Sequence, residues 1–158
     1  MRRIFSLALI VLAISSAAAA FGADNSLGTW KVNIETTKYA PAPWPVKSVT
    51  AVREAVPGGV KVTNTGERTD GAVINSSYTA KYDGSPSPVS GQGSPYDSVS
   101  LKQVNANTFA YDAKKTDGKY HAHGRLTISP DGNTLILTVK GTDPDGKPMT
   151  LRSVYDKQ

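Results

Sequence analysis

His121 and His123 are the only histidines in the chain. At positions i and i+2 on an extended segment they point to one side and could share a metal ion. The nearest carboxylates in sequence, Asp112 and Asp117, are not placed by periodicity as a third ligand. The alternative is an outward polar row beside Tyr120. There is no cysteine, which excludes zinc–thiolate sites, thiolate catalysis and a lipid anchor on cysteine. The many Ser and Thr residues lie in turn clusters and extended stretches, and no Gly-x-Ser-x-Gly elbow presents one as a nucleophile. Gly91-Gln92-Gly93 lacks the strand-to-helix context of a phosphate-binding turn. No acid/base carboxylate pair can be picked out, because five of the Asp residues precede glycine in turn-forming pairs. No catalytic residue is therefore assigned and no cofactor is expected, which argues against an enzyme. Seven tyrosines together with Trp44 remain. Each joins a broad apolar face to a polar tip, so they suit a ligand cavity, a partner surface or plain sheet packing.

The elements that carry these residues read as strands. Asp-Gly occurs at 70–71, 83–84, 117–118, 131–132 and 145–146, the chemistry that tight reversals require. The last three pairs recur every 14 residues, room for one strand and its turn. Between the turns apolar residues alternate: Trp30, Val32 and Ile34; Val49, Ala51, Arg53 and Ala55; Tyr78 and Ala80; Val99 and Leu101; Phe109 and Tyr111; Leu126 and Ile128; Leu135, Leu137 and Val139; Met149 and Leu151. Period two predicts half-buried strands with one face on a core. No stretch from 28 onward carries a 3.6-residue apolar stripe. Two segments depart from the pattern. Tyr39 to Pro45 has prolines at alternate positions and favours an extended crossing. Ser85 to Pro95 is a long loop or a short edge strand around Val89. The expectation is an all-β chain, an antiparallel meander of about eight to ten strands. Closure into an up-and-down barrel would remove exposed edges, and a two-layer β-sandwich is the alternative.

The N-terminus reads as a processing signal. Arg2 and Arg3 precede an apolar run of 11 residues, Ile4 to Ile14, and small side chains follow up to Ala20. Cleavage is expected after Ala20. The run is about half the length needed to cross a hydrocarbon core of about 30 Å. The expected organisation is a signal peptide at 1–20, a flexible N-terminus at 21–27 and one domain at 28–158. The product would be exported to the periplasm or the extracellular space, with no membrane insertion after processing. The formal charge of +5 falls by the two signal arginines. What remains is spread along the chain, with Lys114-Lys115 the only adjacent basic pair past the signal. No polybasic patch is legible, and nucleic acid is not an expected partner.

Gly28-Thr29-Trp30, opening the first strand, resembles the Gly-x-Trp signature of lipocalins and related calycin barrels. In that group the Trp closes one end of the barrel and a basic side chain from the last strand packs across it. The resemblance implies Trp30 and Arg152 as the barrel-closing pair, in keeping with the attraction of a guanidinium for an indole face. The ordinary reading, a core Trp30 and a solvated Arg152, stays open. The chain departs from the family in having neither a Thr-Asp-Tyr match nor a disulfide. Over residues 28–158 it also resembles small exported bacterial proteins of unknown role that begin Gly-Thr-Trp-Lys and end near Val-Tyr-Asp-Lys-Gln. Two functions follow as expectations. One is binding of a small apolar or aromatic ligand. The other is a non-catalytic structural or interaction role with an envelope component.

Overall fold

The computed structural model describes residues 24–158. The expected signal peptide and its cleavage point lie outside the described residues. Eleven strands follow one another: β1 (Gly28–Ala40), β2 (Val46–Val56), β3 (Gly59–Arg68), β4 (Val73–Lys81), β5 (Asp83–Pro88), β6 (Ser90–Gln92), β7 (Ser98–Asn105), β8 (Thr108–Lys114), β9 (His121–Ile128), β10 (Thr134–Thr142) and β11 (Pro148–Lys157). They form one antiparallel sheet in the order β5-β7-β8-β9-β10-β11-β1-β2-β3-β4-β6. Apart from the pairing of β1 with β11, almost every ladder joins strands close in sequence, so the sheet is an up-and-down barrel, lipocalin-like and nearly closed. The two-layer sandwich is set aside, because a single sheet carries all eleven strands. No helix occurs among the described residues.

Four of the five Asp-Gly pairs lie in the turns between strands, and Asp83-Gly84 opens β5 where its register shifts. Gly132 and Gly146 take φ of 74° and 85°, which a side chain would resist. The Asp131 carboxylate accepts from the Asn133 amide at 3.0 Å, closing its own turn.

The strand count exceeds the expected eight to ten because Ser85–Pro95, read as loop or edge, builds two short strands. β5 pairs with β7, and β6 pairs with β4. Val89 between them donates to the Asp97 carbonyl on the β7 side, at 2.9 Å. Period two then turns the nitrogens of Pro86 and Pro88 toward β4, where they have no hydrogen to offer. One seam, between β4 and β5, is therefore left without a regular ladder.

Inside, alternation holds. Val60, Val62, Ala80, Val99, Leu101, Tyr111, Ala122 and Val139 form the main cluster, and Trp30, Phe109, Leu126, Ile128 and Leu135 form a second at one end. Val32 is buried, and Leu137 and Leu151 pack partly buried against the same interior. Tight curling needs strands to approach closely. A Cβ on Gly66 or Gly124 would lie 2.0 Å from the carbonyl oxygen of Ser48 or Thr138, so only glycine fits there.

Candidate functional site

One end of the barrel is sealed by the segment before β1. Trp30 is fully buried, and its indole N–H donates to the Ser26 carbonyl at 2.9 Å. Ser26 is itself buried, and Tyr82 donates to the Asp24 carboxylate. Residues 24–27, the described part of the stretch expected to be flexible, are thus tied down. The basic group over the Trp30 ring is Lys157, with Nζ 5.2 Å from the ring centroid, rather than Arg152. The register explains the difference. Trp30 lies opposite Lys157 on β11, whereas Arg152 lies opposite Lys38 and is exposed. The correct strand supplies the cation, from a position five residues further on.

The middle of the barrel is nearly filled by tyrosines. Tyr78, Tyr96, Tyr111 and Tyr155 surround a cavity of about 60 Å³ together with Arg53 and Asn64. Removal from water pushes all four phenols above their ordinary value, Tyr155 up to about 12. At Tyr111 the neighbouring phenols add to that effect, while at Tyr96 the charge of Tyr78 adds to it and the hydrogen bond with Tyr111 opposes it. Arg53 is only 4% exposed. Its guanidinium donates to Ser26 Oγ at 3.3 Å, and its Nε has no partner. A buried cation without a paired carboxylate is costly. The row Val49, Ala51, Arg53 and Ala55 already placed Arg53 on the core-facing side, but nothing in the sequence marked it as a buried cation.

The other end is open. A pocket of about 410 Å³ lies there between the β1–β2, β6–β7 and β10–β11 connections, walled by Tyr39, Trp44, Tyr120, Met149 and Leu151. The proline run 41–45, expected to cross between strands, forms part of its rim. Tyr120 in this pocket stacks on Tyr96 of the inner cavity, with centroids 5.9 Å apart and planes 27° from parallel. The stacked pair separates the mouth from the interior.

His121 and His123 share the outer face of β9, with ring centroids 5.3 Å apart. Asp112, one of the two carboxylates considered for them, lies opposite His123 on β8 and meets His121 Nε2 at 2.7 Å. Asp117 sits in the β8–β9 turn at φ 56°. Among the described residues no group of three or more His, Cys, Asp or Glu side chains could hold a metal ion. The same outer face contains a shallow groove of about 550 Å³ across β9, β10, β11 and β1. Lys38, Arg125, Lys140 and Arg152 line it, and no carboxylate does. The expectation of a dispersed charge is corrected here: positions far apart in sequence become neighbours through cross-strand register.

The sequence matches no family model, and no curated protein is significantly similar to it. Among solved structures, the chain is similar to one described as EF1p2_mFAP2b bound to DFHBI, at 13% identity and a TM-score of 0.48, over 85% of this chain and 94% of that one.

Proposed function

We propose that this chain is an exported, non-catalytic barrel that binds a small aromatic or apolar molecule at its open end. The observation that carries the reading is the mouth pocket of about 410 Å³ walled by Tyr39, Trp44 and Tyr120. Ligand sites are concave, mainly apolar and roughly 300–1,000 Å³ in volume. The inner cavity of about 60 Å³ is far too small for such a molecule, so the ligand lies on the stacked Tyr96–Tyr120 pair rather than beneath it. Export is supported by the basic pair Arg2-Arg3 and the short apolar run after it.

Tryptophan fluorescence tests the reading directly. Of the two tryptophans, Trp30 is fully buried at the sealed end and Trp44 stands at the mouth. Titration with a small aromatic probe that does not itself emit, such as 4-nitrophenol, should quench Trp44 emission to saturation. Tyr120→Leu should weaken binding about tenfold, the loss of one ring contact of about 1.4 kcal/mol. Absence of saturable quenching by any probe, with no compound co-purifying in native mass spectrometry, would rule the reading out.

A further inference from the structure

The outer groove raises a question the mouth pocket does not answer. Arg125, Thr138, Arg152 and Lys38 lie directly opposite one another on β9, β10, β11 and β1. His123, Lys140 and Thr150 form the adjacent row. All seven are exposed. Lys38 and Arg152 are cross-strand neighbours of like charge, an arrangement that destabilises a sheet. Among the described residues none of the four cations takes part in an ion pair. The nearest carboxylate in register, Asp112, is engaged by His121. The fold therefore holds a concentrated positive charge in a groove with no internal counterion. Placement against local stability is expected where a surface has an external partner.

We infer that this groove is a docking surface for a linear acidic polysaccharide, one bearing carboxylate or sulfate groups between hydroxylated sugar rings. The chemistry of the surface favours that occupant. Arg125 and Arg152 stand two strands apart, about 10 Å at the usual strand spacing, with the hydroxyl of Thr138 between them. In the run Arg125–Thr138–Arg152 one hydroxyl stands between two cations, as hydroxylated rings stand between the charges of such a chain. The guanidiniums can fork onto carboxylate or sulfate oxygens. A nucleic acid is a poorer match, because single strands are held largely by base stacking on exposed rings. Of the two rings lining the groove, Tyr39 is half-buried and packs on the core, which leaves the His123 imidazole alone as a stacking surface. This surface is separate from the mouth pocket in its charge and in its proposed occupant.

The test is a fluorescence-anisotropy titration of labelled polygalacturonate with the intact protein at several salt concentrations. Unlabelled dextran, single-stranded DNA and anionic phosphatidylglycerol vesicles are run as competitors. Saturable binding that weakens with salt is expected, with dextran unable to compete. Arg125→Gln/Arg152→Gln should lower affinity about tenfold and flatten the salt dependence by about two counterions. The control pair Lys61→Gln/Lys81→Gln, exposed on β3 and β4, should change affinity less than twofold, about 0.4 kcal/mol. Neither double variant should lower the melting temperature, since all four side chains are exposed. No saturable binding, or an equal loss in both double variants, overturns the assignment. Tighter competition by DNA or by vesicles than by unlabelled polygalacturonate also overturns it and names the other occupant.

Discussion

At the sealed end the indole of Trp30 does two jobs: it fills the floor of the barrel, and it presents a face to Lys157. Truncating it empties the floor and orphans the Ser26 carbonyl, so Trp30→Ala should cost about 3–5 kcal/mol. Lys157→Ala removes only the cation over the ring, worth about 0.5–1 kcal/mol at an exposed site. Arg152→Ala should shift stability by less than about 0.5 kcal/mol, because Arg152 faces solvent across from Lys38. Urea denaturation of the three variants measures the ranking. A loss for Arg152→Ala larger than that for Lys157→Ala would contradict the assigned register. The Gly-x-Trp resemblance implied a cation from the last strand across Trp30, and β11 does lie beside β1. It could not count along β11, because the side chain that meets the ring depends on the pairing offset and on the irregularity in β1 between Asn33 and Lys38.

Strands differ in how firmly the ladder holds them. β10 is paired from Leu135 to Thr142 with β9 on one side and along its whole length with β11 on the other. β5 and β6 are each paired on one side alone, and Pro86 and Pro88 deny β4 two donors. Opening of the barrel should therefore begin at the seam. Native-state hydrogen exchange should show the amides of Ser90 and Gln92 exchanging at least about tenfold faster than those of Ile136 and Thr138, through local rather than global unfolding. Equal protection in both places would mean that the seam is as firmly bonded as the rest. The alternation and the Asp-Gly turns made most strands legible from sequence. The 85–95 stretch was ambiguous because proline forbids a central strand but not an edge strand, and which side of the chain needs donors is decided by its neighbours.

For the barrel as a whole, the tyrosine-filled interior sets an alkaline limit. Burial raises Tyr78, Tyr96, Tyr111, Tyr120 and Tyr155 above the ordinary phenol value of 10.0. Tyr82 is also raised, to about 12, by burial and by its bond to Asp24. Each keeps its proton more firmly in the folded chain than in the unfolded one. Above pH 10 the unfolded state thus binds fewer protons, and stability falls as pH rises. The contribution is fully present below pH 10 and is lost as pH climbs through 12 and beyond. Tyrosinate absorbance should accordingly appear together with loss of the β-sheet circular dichroism signal. Smooth ionisation of all seven tyrosines at pH 10 with the sheet intact would show that the interior is open to solvent.

Local chemistry alone settled that this chain would be extended, antiparallel and held without cross-links. Period-two alternation, Asp-Gly reversals and the lack of cysteine act over a few residues and leave little else possible. Tertiary structure decided what depends on partners distant in sequence: the tyrosines that crowd the interior, the buried Arg53, Lys157 over Trp30 and the rings gathered at the mouth. It also decided the meeting of Lys38, Arg125, Lys140 and Arg152. Charges more than a hundred residues apart became neighbours because β1 closes onto β11, and a chain read in one dimension carries no record of that offset.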